Sequence, residues 1–574
     1  MVTMRDGVEL ETWIYYPVDP GPHGIVLVRT PYVFQPEKTF TTNTPTWIFA
    51  IQYVRGRVGS GGEFVLMHPP HDPADPTGTD DVTDAYDTVE WLTHLPEGNG
   101  KVCTWGVSYL GWTAAQALIA PHPALQCAVA GGTMGDMFVG DDLHHNGALR
   151  LSYAFEYSEM LEADPRKDTN HPFEVADTFE WYLHLGALSH AGAVANHDKL
   201  PTWKAIMEHP DRDAYWHART LTDQLHAPSV PILHVAGWYD QEDFYGPVTL
   251  YRELEPRDPK GISRLIVGPW NHGGWLGKDG SKLGAIEYGS ATAQHYKDAE
   301  NAWLKHWLGD GPLDDHRVEV FETGSNRWRT FATWPPANQA RKKLYMRADH
   351  ALSFEAPATN EPDDRYISDP ANPVPYRHRP ITPTYPKPDW RTWLVEDQRF
   401  VDHRPDVLSY RTAVLDRDVT INGDVGVELW AATSGTDSDW IVKVIDVYPD
   451  GVDPTIKDDE PAPENAPFDM RGYELMIADE IFRGRYREGF DHSVPTPADV
   501  PQKYVIDLHT ASHTFQAGHR IMVQVQSTWF PVYDRNPQTF VPSIYQAKDS
   551  DFHMATQRVL HTPAMPSAIV LPVE

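Results

Sequence analysis

Three acids stand within four residues in the stretch VAGWYDQEDFYG, at positions 235–246, directly after an apolar run. They are Asp240, Glu242 and Asp243. Carboxylates this close repel one another, and a cleft tolerates them when a cation visits or when one of them stays protonated. An acid that directly follows a strand is also a candidate for the acid of a catalytic triad. The stretch therefore indicates two kinds of chemistry, proton transfer and cation recognition.

Ser108 has the setting of a nucleophile. In TWGVSYLG, at positions 104–111, it follows an apolar run and precedes an alanine-rich segment, with Gly106 two residues before it. A serine on a tight strand-to-helix turn is exposed above the sheet and becomes a nucleophile when a base removes its proton. The usual elbow has a glycine two residues after the serine, whereas here Leu110 stands there and Gly111 follows. Without its context, the same pattern would be an ordinary turn.

An acid and then a histidine must follow such a serine, each just past a later strand. Asp240 follows the apolar run that ends near Ala236, and His272 follows the run at 265–268. We predict that His272 takes the proton of Ser108, while Asp240 holds the imidazole tautomer and stabilises the imidazolium. The chain has 28 histidines, so position alone distinguishes His272.

These side chains need a sheet whose strands end at one edge. Short apolar runs bounded by turn residues predict buried parallel strands, and apolar residues spaced by three and four predict helices between them. Strands are expected at 25–28, 47–51, 102–105, 128–130, 230–236 and 265–268, helices at 80–94 and 113–119, and an edge hairpin around residues 6–7. The alternation predicts an α/β domain with a parallel sheet.

The pattern of residues along the chain changes at two points. Strand patterns stop between 139 and 227, where aromatic helical patterns predict a cap over the carboxyl edge of the sheet. Those aromatics equally fit a small core of the cap itself. After 341, a proline-rich stretch to 388, expected to wrap around the following domain, leads into short strands typical of a jelly-roll β-sandwich. The predicted segments are 1–138 and 228–341 for the α/β domain, 139–227 for the cap and 342–574 for the jelly roll.

Composition restricts the partners. The net charge of −33, from 81 acids and 48 bases, disfavours nucleic acid and acidic lipid. No apolar run approaches the ~18 residues of a membrane span, and the first ten residues, MVTMRDGVEL, show no signal peptide. Cys103 and Cys127 lie in apolar stretches and are expected as buried thiols. We therefore expect a cytoplasmic protein.

The motifs together resemble those of the serine hydrolase family that contains cocaine esterase, α-amino acid ester hydrolases and X-Pro dipeptidyl peptidases. The similar segments are GVSYLG at 106–111, GWYD at 237–240, GPWNH at 268–272, AGHRIMVQV at 517–525 and FPVYDRN at 530–536. The resemblance covers nearly the whole chain. It implies an α/β-hydrolase fold with a helical cap insertion and a C-terminal all-β jelly-roll domain.

The resemblance also implies an oxyanion hole. In the family, a tyrosine hydroxyl after the first central strand joins the backbone N–H of the residue that follows the serine. The segment RTPY at 29–32 matches this pattern, so Tyr32 would donate through its hydroxyl and Tyr109 through its backbone. One such donor typically contributes about 10²- to 10³-fold in rate. Without the resemblance, Tyr32 would be an ordinary aromatic at a strand end.

Two interpretations of Glu242 and Asp243 remain open. The apolar pattern from 244 to 254 predicts a helix, and the helix dipole stabilises acids in a first turn by about 0.3–1 kcal/mol each. The α-amino acid ester hydrolases are similar in this loop and use the two acids, with a third from the cap, to hold the substrate α-ammonium. Asp142 is the better match for the third acid, and Asp141 is the reserve. A bound calcium fits less well, because no carbonyl-rich loop is evident.

These features predict a serine hydrolase for esters, and by extension amides such as β-lactams, whose acyl part carries a free α-amino group. Transfer of the acyl group to an amine would compete with hydrolysis. The alternatives are an esterase for neutral acyl groups, similar to cocaine esterase, an X-Pro dipeptidyl peptidase, and a non-enzymatic carbohydrate- or partner-binding module. We expect a small-molecule substrate, no cofactor and no metal. The resemblance leaves open a homo-oligomer, either dimer or tetramer.

Overall fold

A nine-stranded sheet forms the first part of the computed structural model, which describes the chain except residues 35–45, 73, 76, 338, 386–387 and 452–468. Its strands are β1 Thr12–Tyr15, β2 His23–Thr30, β3 Ile48–Tyr53, β4 Gly98–Val107, β5 Leu125–Gly131, β6 Ile232–Gly237, β7 Ser263–Gly268, β8 Val318–Glu322 and β9 Arg327–Phe331. Their order across the sheet is β9-β8-β7-β6-β5-β4-β2-β3-β1. Strands β2 to β8 are parallel, and the edge strands β1 and β9 are antiparallel to their neighbours. Each predicted strand lies in this sheet.

All but the last of the helices lie in the first part of the chain, between these strands or in the cap. The helices are α1 Asp81–Leu92, α2 Tyr109–Gln116, α3 Leu151–Glu162, α4 Thr178–His184, α5 Pro201–Glu208, α6 Ala214–His217, α7 Tyr245–Leu254, α8 Thr292–Leu308 and α9 Arg399–Asp402. The carboxylate of Asp80 caps α1 by accepting the N–H of Thr83 at 2.7 Å. Helix α2 begins four residues before its predicted start, because Ser108 is already its N-cap.

The aromatic residues of α3 serve two purposes. Phe155 stacks on His197, with ring centroids 3.7 Å apart, and belongs to the core of the cap. Tyr153 and Tyr157 are also buried, but they lie against the functional site described below. Both interpretations of these aromatics therefore hold, each for different residues of one helix.

An eleven-stranded sheet dominates the second part of the described chain. Its strands are β10 Ala340–Arg347, β11 Ala351–Ser353, β12 Asp364–Ser368, β13 Leu408–Arg411, β14 Val419–Thr433, β15 Asp439–Val447, β16 Glu474–Arg483, β17 Gln502–Phe515, β18 Arg520–Gln526, β19 Ala555–Val559 and β20 Ala568–Val573. In β14, Val425, Val427 and Leu429 alternate with more exposed residues and contribute to the core between the layers. The predicted all-β architecture of this part is confirmed.

The proline-rich stretch follows the β-domain only in part. Pro375 forms a bridge with Phe530 of that domain, but the chain then crosses to the cap. There the N–H groups of Thr384 and Tyr385 donate to the carboxylate of Glu156 at 3.2 and 3.0 Å. The stretch therefore contacts the β-domain, as expected, and its end also reaches the functional site.

Buried ion pairs join the β-domain to the start of the cap. The guanidinium of Arg483 binds Asp439 and Asp534, and Asp534 also accepts the N–H of Leu149 at 3.1 Å. A second cluster holds Glu480 between His145 of the cap region and His509, at 2.9 and 2.6 Å. The cap therefore rests on the β-domain through charges as well as apolar contacts.

Cys103 in β4 and Cys127 in β5 form a disulfide, which corrects the prediction of two free thiols. The strands pair with these residues directly opposite each other and their Cα atoms 4.6 Å apart, a separation that a disulfide can span. Strand register decides which residues face each other, and the spacing in the sequence does not reveal it. The expectation of a cytoplasmic protein therefore loses the support that two free thiols would have given.

Among the helices that the structure describes, none has the length and apolar character needed to span a bilayer.

Candidate active site

Ser108 lies on a strained turn between β4 and α2. Its φ of 64° and ψ of −134° fall outside the common regions for a residue with a side chain, a strain of about 1–3 kcal/mol. Its N–H donates to the carbonyl of Gly131 at 2.9 Å, and its carbonyl accepts the N–H of Trp112 at 2.9 Å. A Cβ at Gly106 would lie 2.1 Å from the carbonyl of Leu110, so the turn closes only with glycine there.

Gly111 explains the departure from the usual elbow. A Cβ at this position would lie 2.5 Å from Oγ1 of Thr133 and 2.6 Å from the carbonyl oxygen of Gly131. The start of α2 therefore packs so closely on the end of β5 that glycine is needed one residue later than usual. Leu110 takes the place of the usual glycine and packs, partly buried, against apolar neighbours.

Asp240 and His272 follow neighbouring strands and meet above their ends. Strands β6 and β7 pair Gly237 with Gly268, and the two loops continue side by side. Nδ1 of His272 lies 2.9 and 3.0 Å from the two carboxylate oxygens of Asp240. The backbone N–H of His272 also donates to Oε1 of Gln241 at 3.2 Å. The contacts of Nδ1 orient the imidazole, and the backbone contact holds the loop that carries it.

Two glycines at the end of β5 lie between the serine and the histidine. Gly131 accepts the N–H of Ser108, and a Cβ on Gly132 would lie 2.9 Å from Cε1 of His272. Nε2 of His272 forms no hydrogen bond with the described residues, and Oε2 of Glu242 lies 3.5 Å from it. Catalytic hydrogen bonds are often long without substrate and tighten when it binds.

The hydroxyl of Tyr32 is placed to donate a proton. It lies 2.9 Å from the hydroxyl of Tyr157 and also interacts with Ser108. Burial raises the pKa of Tyr32 far above its ordinary value, so the phenol stays protonated. Tyr109 is the first residue of α2, where backbone N–H groups have no partner within the helix. Its own hydroxyl accepts the N–H of Met67 at 3.1 Å, which anchors the ring.

Glu242 and Asp243 do not lie in a helical turn. Helix α7 begins at Tyr245 with Phe244 as its N-cap, and its first turn contains no acid. Their backbone N–H groups instead donate to Oδ1 of Asp240, at 2.9 and 3.0 Å. Stabilisation at a helix end therefore does not account for these two acids.

Asp142 and Asp243 have buried carboxylate oxygens without hydrogen-bond donors. Among the described residues, no well-formed donor reaches either oxygen of Asp142 or Oδ2 of Asp243. Burial and the charge of Glu242 raise the pKa of Asp142 to about 6, although the nearby Tyr153 hydroxyl opposes this shift. Burial and the charge of Asp142 raise the pKa of Asp243 well above its ordinary value. Because unpaired buried carboxylates are costly, a cation with N–H groups would relieve both.

Asp141, the reserve candidate, is bound to the backbone. Its carboxylate accepts the N–H groups of Gly135, Asp136 and Gly246 at 2.7, 2.9 and 3.0 Å. These bonds hold the start of the cap against α7 and leave little for a ligand. The structure therefore places Asp142, and not Asp141, among the carboxylates available to a cation.

Arg150 and Trp390 complete the site and were not predicted. Arg150 donates to the backbone carbonyls of Asp142 and Glu242 at 3.2 Å each and also bonds to Gln241. Arg150 therefore links the loop that contains Asp142 to the loop that contains Glu242. The indole N–H of Trp390 donates to Oε1 of Glu242 at 2.6 Å. The sequence contains many aromatic residues in the cap and in the proline-rich stretch, but this composition does not reveal which residues they contact.

A calcium site has little geometric support in this cluster. The groups of described residues whose ligand atoms converge within 4.8 Å lie elsewhere, at His145, Glu480 and His509 and at an exposed group on the surface. The oxygens of Asp142, Glu242 and Asp243 thus do not surround one point as calcium ligands would.

Comparison with known proteins places both parts of the chain. Residues 6–274 match the family described as X-Pro dipeptidyl-peptidase (S15 family), and residues 313–570 match the X-Pro dipeptidyl-peptidase C-terminal non-catalytic domain. Cocaine esterase from Rhodococcus sp. (strain MB1 Bresler) is 30% identical, over 100% of this chain and 97% of its own length.

Two solved structures are similar over the whole chain. An aminopeptidase from the marine sediment archaeon Thaumarchaeota archaeon has 40% identity and a TM-score of 0.94, with 100% of this chain and 95% of that chain covered. An α-amino acid ester hydrolase has 39% identity and a TM-score of 0.93, with coverage of 100% and 96%. Since the likeness spans both domains and the elbow, the chain belongs to the X-Pro dipeptidyl-peptidase (S15) and cocaine esterase family, and it is a serine hydrolase with an α/β-hydrolase fold, a helical cap and a C-terminal jelly roll.

Proposed function

We propose that the chain hydrolyses esters whose acyl part carries a free α-amino group, through an acyl-enzyme on Ser108. His272 takes the proton of Ser108 as Oγ attacks the carbonyl carbon, and it returns the proton to the leaving alcohol. Asp240 holds the imidazole tautomer through Nδ1. The observation that carries the proposal is a set of buried carboxylate oxygens, both of Asp142 and Oδ2 of Asp243, that have no hydrogen-bond partner among the described residues.

The tetrahedral intermediate would place its oxyanion between two donors. The hydroxyl of the partly buried Tyr32 offers one hydrogen bond and the backbone N–H of the buried Tyr109 the other. Water then attacks the acyl-enzyme, with His272 again as the base. An amine in the same position takes the acyl group instead, and amide substrates such as β-lactams with an α-amino acyl chain follow the same course.

The position of the acids favours an amino group on the carbon next to the scissile carbonyl. Oε2 of Glu242 lies 3.5 Å from Nε2 of His272, the atom that exchanges a proton with the serine. In an X-Pro dipeptide the ammonium lies one residue further away, and an extended residue spans about 3.3–3.6 Å. A neutral acyl group would leave the carboxylates of Asp142 and Asp243 without partners. Both alternatives therefore fit the geometry less well.

An aminopeptidase is the second candidate. The two solved structures at about 40% identity are named an aminopeptidase and an α-amino acid ester hydrolase, and both names denote a free α-amino group in the acyl part. The same acid cluster would hold the amino terminus of a peptide. The two candidates differ in the leaving group, an amine or an alcohol, and a direct comparison of phenylglycine p-nitroanilide with phenylglycine methyl ester separates them.

The decisive experiment compares phenylglycine methyl ester with phenylacetic acid methyl ester, which lacks the amino group. We expect kcat/KM to be at least tenfold higher for the amino ester, equivalent to about 1.4 kcal/mol of transition-state recognition. Equal values for the two esters would favour the neutral esterase. Faster turnover of alanyl-proline p-nitroanilide than of either ester would favour the X-Pro peptidase.

Substitution of the acids tests the proposed substrate specificity by changing the protein instead of the substrate. For the double variant Glu242→Gln, Asp243→Asn, we expect kcat/KM to fall at least tenfold more for phenylglycine methyl ester than for p-nitrophenyl acetate, since the latter has no ammonium. Steady-state kinetics on both substrates measure the difference. A proportional loss on both would mean that the acids support the structure of the site and not the substrate.

A further inference from the structure

The imidazole of His272 lies between two carboxylates. Asp240 bonds to Nδ1 at 2.9 Å, and Oε2 of Glu242 lies 3.5 Å from Nε2. A general base must carry a free lone pair on Nε2, whereas an acid at each nitrogen favours the doubly protonated imidazolium. The same carboxylate that would hold the substrate therefore also stabilises the inactive form of the base.

Other charges around the histidine act in the same direction. Asp142, at the start of the cap, also raises the pKa of His272 through its charge, whereas the raised pKa of Asp243 favours its neutral form. Arg150, the cation behind the cluster, donates to the backbone carbonyls of Asp142 and Glu242, and its charge lowers the pKa of Asp142. The phenols of Tyr32 and Tyr153 stay protonated and add no charge.

The protonation of His272 follows from these surroundings. Burial alone would lower the pKa of His272, but the charges of Asp240 and Glu242, with a smaller contribution from Asp142, raise it to about 9. At pH 7 the histidine without substrate is therefore an imidazolium. In this form it cannot accept the proton of Ser108, whose hydroxyl instead interacts with Tyr32.

We propose that the ammonium group of the substrate converts His272 from imidazolium to free base by taking Glu242 as its own partner. This inference rests on the proposed specificity for α-amino esters. The ammonium donates to Glu242 and to an oxygen of Asp142 or Asp243 that has no partner among the described residues, and the proton on Nε2 then leaves to bulk water. When Oγ of Ser108 bonds to the carbonyl carbon, its proton moves to the vacated Nε2. The amino group thus activates the base in addition to binding the enzyme.

The pH dependence of kcat tests this mechanism, because kcat reports groups in the enzyme–substrate complex. For phenylglycine methyl ester, we expect the acid limb of kcat to lie at least one pH unit below that for phenylacetic acid methyl ester. The amino group of the ester titrates on the alkaline side, since an α-amino group has a pKa of about 7.7–8, and therefore does not affect the acid limb.

The outcomes separate this inference from the proposed function. If the amino ester keeps its tenfold advantage in kcat/KM while the two acid limbs coincide, the cluster binds the amine without changing the base, and the inference is wrong although the specificity stands. If the amino ester has no advantage, the proposed specificity fails and the inference fails with it.

An amine added separately should also activate the base. At pH 6, we expect methylammonium chloride to raise the turnover of phenylacetic acid methyl ester at least threefold in a saturable manner. Tetramethylammonium chloride at equal ionic strength has the same charge but no N–H donors, and it should have little effect. The absence of activation, or equal activation by both salts, would contradict the proposal.

Glu242→Gln removes the charge beside Nε2. We expect the acid limb of kcat/KM for phenylacetic acid methyl ester to move down by at least one pH unit and the activation by methylammonium to disappear. The matched control is Glu162→Gln, which alters a partly buried carboxylate of the cap that accepts hydrogen bonds from Thr202. Its acid limb should stay at the wild-type position. If Glu242→Gln does not fold, the methylammonium titration of the wild type decides.

Discussion

Trp390 controls the geometry of Glu242 through one hydrogen bond. Its indole N–H donates to Oε1 at 2.6 Å, from a segment 148 residues away in the chain. A hydrogen bond to a charged group contributes about 1.5–3 kcal/mol when both partners are buried. Gln241 and Tyr153 also donate to this carboxylate, so its position, and with it the proposed pocket for the amino group, depends in part on Trp390.

We predict that Trp390→Phe lowers kcat/KM for phenylglycine methyl ester by about tenfold or more, because 1.4 kcal/mol corresponds to a factor of ten. Trp393→Phe is the matched control. Its ring is buried nearby, but its indole N–H bonds to none of the described residues, so the loss should be smaller. Steady-state kinetics on both variants check this, and equal losses would show that ring packing matters more than the hydrogen bond.

Tyr32 should act mainly in the transition state. Tyr32→Phe removes the proposed oxyanion donor and is expected to lower kcat by about 10²- to 10³-fold with little change in KM. The hydroxyl of Tyr157 bonds to that of Tyr32, so Tyr157→Phe should cost only a few-fold. Rates with p-nitrophenyl acetate measure both variants. A larger loss in Tyr157→Phe would reassign the oxyanion contact to that residue.

Residues that directly follow a strand could be predicted from the sequence, since apolar runs reveal where strands end. Ser108, Asp240 and His272 are of this kind. Arg150 and Trp390 could not be predicted, because their partners lie 92 and 148 residues away and depend on the path of the cap and of the proline-rich stretch. Local patterns contain no information about contacts of that range.

At the level of elements, the contact of α2 with β5 holds Ser108 in place. Gly111→Ala would bring a Cβ within 2.6 Å of the backbone oxygen of Gly131, which cannot move without shifting the strand. We expect a loss of about 1–3 kcal/mol in the free energy of unfolding, typical of overpacking, and a lower kcat because Ser108 moves with the helix.

Denaturant unfolding and kinetics of Gly111→Ala test this contact. Gly451→Ala is the control, since a Cβ there meets nothing within 4 Å. If Gly111→Ala has the same unfolding free energy and kcat as the control, the helix shifts at no cost.

The strands on either side of this contact were predictable as apolar runs. Their register, and hence the disulfide between Cys103 and Cys127, was not, because a shift of one residue leaves the pattern of apolar runs unchanged.

At the level of the whole molecule, Glu480 couples the β-domain to the cap. Burial alone would raise the pKa of Glu480, but His145 and His509 outweigh it and lower the pKa to about 2. Burial would lower the pKa of His509, but the hydrogen bond to Glu480 raises it to about 9. The lowered pKa of Glu480 means that its contribution to stability is complete above its ordinary pKa of 4.5 and disappears as the pH falls through about 2. The raised pKa of His509 means that its contribution is complete below its ordinary pKa of 6.5 and disappears as the pH rises through about 9.

We predict that Glu480→Gln lowers Tm most between pH 4.5 and 6.5, and that the difference from wild type shrinks by pH 9.5 as His509 loses its proton. Breaking a buried ion pair costs about 3–5 kcal/mol. Glu428→Gln, at a partly exposed carboxylate bound by Lys343 and Lys503, should cost under about 1 kcal/mol. Calorimetry across this range tests both variants, and a Tm difference that does not vary with pH would contradict the assignment.

The contact between Trp390 and Glu242 also bears on synthesis by the ribosome. Translation releases residues 108, 240 and 272 long before residue 390, and residue 534, which supports the start of the cap, emerges later still. A nascent chain arrested between 341 and 380 contains the proposed triad, but it lacks the indole that donates to Glu242. Under the proposed function, the groups that cleave the substrate are therefore synthesised before the group that positions the acid that selects it.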